Sequence, residues 1–194
     1  MGTIRVSARV RRFSLSSIVG LWVLIGYCSP QSYAQANSNM ANVVLTATLL
    51  ESITVVAVPS AVLFNLTAGS VANGSSPVSI TTVWILGPTR TSLKLYGSFD
   101  SASAALSDGA GDNIPSANVL GQVTTGSPIN FTAFTQATPF GAAGAGLLLF
   151  SQPISITNTT GTRTDNLSLE IDLTSLPLPA GTYVGTLHIQ AQAL

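Results

Sequence analysis

Two acidic side chains near the carboxyl end of the chain have a spacing that could support hydrolysis. Glu170 and Asp172 alternate with Leu169 and Ile171, so a strand would place both carboxylates on one face, about 7 Å apart. Carboxyl pairs at such separations can hydrolyse glycosidic bonds. The surrounding sequence is a plain alternating strand with no aromatic residue nearby to hold a sugar. We therefore interpret the pair as two solvated surface residues.

The single histidine, His188, is the other residue expected of an active site. It alternates with Leu187 and Ile189, which places it on the polar face of a strand. A catalytic base or a metal ligand would need partners that the chain hardly offers. His188 is interpreted as a solvated strand residue.

Asp108 and Asp112 stand in a Ser/Ala/Gly-rich loop and could form a weak surface ion site. The loop lacks the dense oxygen spacing and the distal glutamate of a calcium site. No nucleophile elbow, P-loop or dinucleotide fingerprint is present, and Gly141, Gly144 and Gly146 have the wrong order for the last of these. The sequence predicts a protein that is not an enzyme and needs no cofactor.

Residues 1–36 read as a secretory signal peptide. Four arginines precede the apolar stretch Ile18 to Tyr27, and Ala34-Gln35-Ala36 provides a cleavage site. The apolar stretch is too short to cross a bilayer, which needs about 20 apolar residues. Lipidation at Cys28 is the alternative, but a bulky Tyr27 precedes it. The sequence predicts cleavage after Ala36, no remaining transmembrane segment, and export to the periplasm, the cell surface or the exterior.

The mature chain has an unusual charge content. Removal of 36 from 194 residues leaves 158, among which three basic side chains face seven acidic ones, a net charge of −4. Nucleic-acid binding needs a basic surface and is therefore not expected. Cys28 leaves with the signal, so no disulfide can stabilise the exported protein.

Apolar and polar residues alternate at the start of the mature chain, as in a strand. The side chains of Val43, Leu45, Ala47 and Leu49 share one face, and Glu51 then interrupts the apolar register, which indicates a bulge or a break. The predicted organisation is a signal peptide over 1–36, an amino-terminal strand or donor segment over 37–52, and one sandwich domain over 53–194.

The same alternation continues to the carboxyl terminus and predicts an all-β, immunoglobulin-like antiparallel β-sandwich. A long loop is expected over 100–117, and Phe140 to Phe150 is read as a turn entering a buried strand, with a membrane-inserting loop as the alternative. Short strands are expected at Val62 to Phe64 and at 153–157, and a final one from Thr182 to Leu194. The predicted inward residues are Val78, Ile80, Thr82, Trp84, Leu86, Leu93, Leu95, Gly97, Phe99, Ile129, Phe131, Ala133, Leu167, Leu169, Ile171 and Leu173.

Both ends of the mature chain resemble the spore coat protein U family, secreted relatives of chaperone–usher pilins. At the front, the alternating strand from Leu45 to Val55 precedes a proline, Val62-Leu-Phe-Asn-Leu66 and Pro77-Val-Ser-Ile-Thr-Thr82. At the back, Leu178-Pro-Ala-Gly-Thr-Tyr-Val-Gly-Thr-Leu187 leads into the last strand. Members of the family commonly carry a cysteine pair that this chain lacks.

The resemblance implies a sandwich that lacks one strand and is completed by a neighbour's amino-terminal segment through β-strand addition. Residues 43–49 have the composition of such a donor; the alternative is that they form the domain's own first strand. The implied partners are further copies of the chain or homologous subunits. A periplasmic chaperone and an usher are compatible with this mode of assembly.

Two functions follow from these expectations. The first is a non-enzymatic structural subunit of a bacterial surface appendage, coat or extracellular matrix. The alternative is a secreted module that binds a glycan or a surface polymer, for which Tyr96 and Phe134 are the candidate exposed aromatic residues.

Overall fold

A computed structural model describes residues 38–194 of the protein. Within that range every regular element except one turn of 3-10 helix at Ser116–Asn118 is a strand, and all strand pairs are antiparallel, which confirms the predicted all-β class. The strands are β1 (Ser52–Val58), β2 (Val71–Asn73), β3 (Val78–Ile85), β4 (Ser92–Ser98), β5 (Leu106–Ser107), β6 (Asn113–Ile114), β7 (Val119–Val123), β8 (Thr132–Ala133), β9 (Gly146–Pro153), β10 (Thr160–Asp172) and β11 (His188–Ala193).

The larger sheet has the order β1-β3-β10-β7-β8, with β2 added beside β10. Its central strands show the predicted period of two, because every second residue faces the core. Ile80 and Trp84 of β3 are buried, as are Leu167 and Ile171 of β10. The alternation in these strands therefore predicted their inward faces correctly.

The smaller sheet has the order β11-β4-β9 and contributes the other half of the core. Leu93 and Leu95 of β4 and Leu147 and Leu149 of β9 are fully buried. The stretch from Phe140 is thus a turn that enters a buried strand, as predicted. The two sheets enclose one apolar core between them, as in a β-sandwich.

Phe134 occupies a space that two glycines leave open. A Cβ atom at Gly97 would lie 2.9 Å from the Phe134 ring, and one at Gly121 would lie 3.1 Å from it. The ring also meets Phe99 edge-to-face, with 5.2 Å between the centroids. Real Cβ contacts are rarely this close, so the side-chain-free positions on β4 and β7 are what allow Phe134 to be fully buried.

Several predicted strands differ from those of the structure. Val62 to Phe64 is not a strand, since only Phe64 makes an isolated bridge, to Gly74. The last strand begins at His188 rather than Thr182, and the chain beyond Pro153 turns instead of forming a strand. The expected loop over 100–117 contains the hairpin of β5 and β6.

The inward register predicted around Ile129 is wrong. Ile129 is 67% exposed, while Phe131 and Ala133 are half-buried and Phe134 takes the core position. The β8 strand is only two residues long, so its alternation is too short to identify a face.

Residues 38–51 contain no strand, and β1 begins directly after Glu51. The compact unit of the chain extends from Ala47 to Leu194. The signal peptide, its cleavage site at Ala36 and Cys28 lie outside the described residues. Within those residues no helix has the length and hydropathy needed to cross a membrane.

Candidate functional site

Glu170 and Asp172 lie on one face of β10, as the spacing predicted, but their environments differ. Partial burial, and then the nearby charge of Asp172, raise the pKa of Glu170. Asp172 accepts hydrogen bonds from the hydroxyl and the amide of Thr174, at 2.6 and 2.8 Å, which lower its pKa. These contacts close the turn after β10. Neither carboxylate lines either of the two cavities described below.

His188 pairs with one carboxylate at the start of β11. Its Nε2 atom lies 3.0 Å from Oδ2 of Asp100, and both side chains are exposed. The pair joins the end of β4 to the beginning of β11. Such an exposed contact fits the predicted solvated histidine.

The loop with Asp108 and Asp112 is organised by its own backbone. Oδ1 of Asp108 accepts hydrogen bonds from the amides of Ala110, Gly111 and Asp112, at 2.8 to 3.1 Å. These bonds engage one of the two carboxylate oxygens of Asp108 in shaping the loop. Among the described residues no cluster of three or more metal-ligating side chains occurs.

The sequence interpretation missed an ion pair between the half-buried Arg163 and the fully buried Asp165. Arg163 Nε lies 2.7 Å from Oδ2 of Asp165, the hydroxyl of Thr125 donates to Oδ1, and the guanidinium stacks over Phe150. A buried carboxylate needs such partners. Arg163, Asp165 and Leu167 follow one another on the inward face of β10. This alternation was the signal in the sequence that could have revealed the ion pair.

A groove of about 800 Å³ opens along one side of the sandwich, and we call it the lateral groove. Its walls are the segments 57–66 and 181–189. Its floor is formed by Val78, Val119, Leu169 and Ile171 of the larger sheet together with Phe99 and Leu106. A second depression, beside Asn73 and Phe131, measures only about 170 Å³. The lateral groove is therefore the larger of the two and reaches the space between the sheets.

The first wall follows β1 and has the pattern of a strand without being paired as one. Val62, Phe64 and Leu66 are half-buried and alternate with exposed residues. The wall is held to the turn between β2 and β3, because Leu63 accepts a hydrogen bond from the Ser75 amide and donates one to its hydroxyl. Leu63 is itself 73% exposed, so this wall presents apolar surface to solvent.

The second wall leads into β11 and is held by few main-chain contacts. Val184 and Ser107 exchange two backbone hydrogen bonds of 2.9 Å. Gly185 lies so close to the neighbouring chain that a Cβ atom there would be 1.9 Å from the carbonyl oxygen of Ala105. Val184 is 69% exposed and provides apolar surface opposite Leu63.

Each sheet has an unpaired edge strand beside the groove. β1 ends the larger sheet and β11 ends the smaller one, and their Cα atoms approach within 8 Å. The inward residues of both strands are only half-buried, although they pack on the core; they are Ile53, Val55, Ala57, Ile189, Ala191 and Ala193. On this side the core is covered incompletely, and within residues 38–194 no further strand is hydrogen-bonded along the outer edge of β1 or of β11.

The candidate donor residues 43–49 are exposed. Val43, Leu45 and Leu49 are 80, 89 and 80% exposed, and Ala47 is exposed as well. No strand assignment covers them. Large apolar side chains in this state remain available for burial elsewhere.

The two aromatic residues considered for polymer binding have different positions. Phe134 is fully buried, so its prediction as an exposed aromatic is wrong. Tyr96 is half-buried and meets Phe140 edge-to-face, with 6.0 Å between the ring centroids.

Comparisons with protein-family models, with curated proteins and with solved structures gave no match for this chain.

Proposed function

We propose that the protein is a non-enzymatic structural subunit of a bacterial surface appendage, coat or extracellular matrix, and that it assembles by β-strand addition. The observation that carries this proposal is the lateral groove, which opens onto the core and is bordered by the ends of two edge strands, β1 at Ala57 and β11 at Ile189. The export expected from residues 1–36 and the resemblance to spore coat protein U and to pilins are consistent with it.

The donor in this assembly is the segment 43–49. An extended segment added to an open edge gains main-chain hydrogen bonds, and its alternate side chains enter pockets in the acceptor. Val43, Leu45, Ala47 and Leu49 supply small and medium apolar side chains at this spacing. Seven extended residues would span about 23 Å.

Burial of apolar surface supplies a further part of the attraction. Each fully buried Val or Leu side chain contributes about 1.5 to 3 kcal/mol. Three donor side chains of this kind are exposed, and so are Leu63 and Val184 on the two groove walls. Strand addition covers both sets of side chains at once.

Deletion of residues 37–50 tests this function. Because β1 begins at Ser52, the shortened chain is expected to keep its strands but to lose assembly. Analytical ultracentrifugation should show polymers for the full exported chain and monomers for the deletion variant. A synthetic peptide of residues 42–50 should bind the variant and raise its unfolding temperature, whereas a peptide with Leu45 and Leu49 changed to Asp should not.

A stable monomer of the full exported chain at high concentration would contradict the proposal. If the segment instead belongs to the domain's own fold, the deletion will unfold the monomer. These outcomes differ in both sedimentation and circular dichroism.

The second candidate function is binding of a glycan or surface polymer, and the Tyr96–Phe140 pair favours it. Aromatic faces bind apolar sugar faces through stacking and burial. Tyr96→Ala should then abolish retention on an immobilised polysaccharide while leaving assembly unchanged. Equal retention of the Tyr96→Ala variant and of the unchanged protein would argue against this function.

A further inference from the structure

The smaller depression, of about 170 Å³, draws its walls from separate parts of the larger sheet. Asn73 comes from the end of β2, Ser76 from the turn between β2 and β3, and Ser168 from β10. Phe131, immediately before β8, lines the depression as well. The depression therefore combines one aromatic ring with three neutral polar side chains.

Strand pairing holds the polar side chains on one face of the sheet. Ala72 is buried on β2 and Leu169 on β10, so their neighbours along each strand point outward. Those neighbours are Asn73, Ser168 and Glu170. Glu170 is the pairing partner of Asn73, and paired residues on one face have Cβ atoms about 4.5 to 5.5 Å apart. The Glu170 carboxylate thus borders the depression without lining it.

The polar side chains that line the depression are not used by the protein itself. Within residues 38–194 the side chains of Asn73, Ser76 and Ser168 make no hydrogen bond to another protein group, whereas neighbouring side chains do. Gln122, the pairing partner of Ser168 on β7, donates to the carbonyl of Ile129 at 2.7 Å. One amide and two hydroxyls supply donors and acceptors together. The depression therefore presents neutral hydrogen-bonding groups that a ligand can occupy.

The charges of the chain restrict the class of this ligand. Residues 38–194 contain three Lys or Arg side chains, Arg90, Lys94 and Arg163, and none of them lines the depression. Both arginines are paired with carboxylates, and Lys94 belongs to the smaller sheet. Because the Glu170 carboxylate stands at the border, phosphate, sulfate and acidic sugars are disfavoured.

We propose that this depression binds one neutral hexopyranose ring of a polysaccharide. The apolar C–H face of the ring packs on Phe131. Its hydroxyls exchange hydrogen bonds with Asn73, Ser76 and Ser168. The cavity is well below the roughly 300 Å³ at which pockets for drug-sized ligands begin, so it takes a single ring. The inference rests on the second candidate function, polymer binding, and gives it a site that includes neither Tyr96 nor the lateral groove.

Saturation-transfer difference NMR on the full exported chain tests this site, because the method reads the signals of the ligand and tolerates large assemblies. The probes are the methyl glycosides of glucose, galactose and mannose, used at millimolar concentration because a single ring binds weakly. Methyl glucuronide is the charged counterpart. At least one neutral glycoside should show saturation of its ring C–H protons, and methyl glucuronide should show at least fivefold less.

Two variants remove the binding groups while the strands remain. Phe131→Leu keeps an apolar side chain but removes the aromatic face, and Asn73→Ala removes the amide. Each should lower the saturation at least fivefold, with circular dichroism unchanged. Phe140→Leu and Gln190→Ala are the matched controls outside the depression and should leave the saturation unchanged. If Phe131→Leu does not fold, Ser168→Ala replaces it and should lower the saturation as well.

Three results would overturn the inference. The first is the absence of saturation for all neutral glycosides, and the second is equal saturation of the unchanged chain and of the Phe131→Leu and Asn73→Ala variants. The third is a loss caused by Tyr96→Ala alone, which would support the second candidate function at the Tyr96–Phe140 pair. Sedimentation of every variant should match that of the unchanged chain, so a failure of strand addition and a failure of this site are distinguishable.

Discussion

Along β9 the edge of the smaller sheet is covered by other parts of the chain, whereas along β11 it is bare. Gln136 and Gly146 exchange two backbone hydrogen bonds of 2.8 and 3.0 Å, and the Gln136 side chain accepts the Leu148 amide at 2.8 Å. The amide of Ser127 donates to Leu149 nearby. No such cover is found beside β11 or β1 among residues 38–194.

The larger sheet shows the same difference between its two ends. On the covered side it ends in β8, which has two residues, while on the open side it ends in β1, which has seven. Short edge strands and covering loops are the usual protections against unwanted strand pairing. Within residues 38–194 one side of the sandwich therefore carries these protections and the other side does not.

The largest effect is expected from Leu149→Ala, on the covered side. Leu149 is fully buried, and its truncation should lower the free energy of unfolding by about 2 to 5 kcal/mol. Ile189→Ala on β11 should lower it by less in the monomer, because that side chain is half-buried. Both substitutions are made in the deletion variant lacking residues 37–50, and urea unfolding measures the free energy of unfolding of each protein. Equal losses of this free energy would contradict the described difference between the two sides of the sandwich.

Gly185→Ala should disrupt the second wall of the groove. The added methyl would overlap the carbonyl of Ala105, and backbone shifts of this kind cost about 1 to 3 kcal/mol. Assembly should fall more than stability, because the displaced wall also changes the groove. Gly181→Ala is the matched control, since its Cβ would approach no atom closer than 3.7 Å. Sedimentation of the two variants should differ, and identical polymer fractions would show that the wall is not part of the acceptor.

Gln136→Ala should uncover the β9 edge. The Leu148 amide loses its side-chain acceptor, and one such hydrogen bond contributes about 1 kcal/mol. The variant should associate through this second edge even when residues 37–50 are absent. Gln192→Ala on β11 serves as the control. Light scattering that stays unchanged for Gln136→Ala would mean that this side chain does not protect the edge.

The smallest effect is a dependence of the Glu51–Arg90 contact on acid pH. The hydrogen bond from Arg90 and then the one from Gly87 hold the pKa of Glu51 below its usual value of 4.5. A lowered carboxyl pKa means that the contact is fully present above about pH 4.5 and weakens as the pH falls through the lowered value. The Glu51 carboxyl should therefore protonate at higher pH in the Arg90→Gln variant than in the unchanged chain, as followed by NMR titration of its side chain. Superimposable pH profiles of the two proteins would contradict it.

The sequence by itself determined the strand class and most inward faces, since alternation is a local property. In β3, β4 and β10 the predicted faces are confirmed because long strands repeat the pattern several times. The period of the segment 43–49 was equally clear, and the sequence left open whether it is a donor or a first strand.

Tertiary structure decided the features that depend on residues far apart in the chain. Phe134 is buried because Gly97 and Gly121 leave space for its ring, and no local pattern connects these three positions. Glu51 is read from its neighbours as a break in a strand, yet its partners are Gly87 and Arg90, more than thirty residues away. The lateral groove likewise forms only when the end of β1 and the start of β11 lie side by side, because long-range strand pairing, not local sequence, determines which edges remain open.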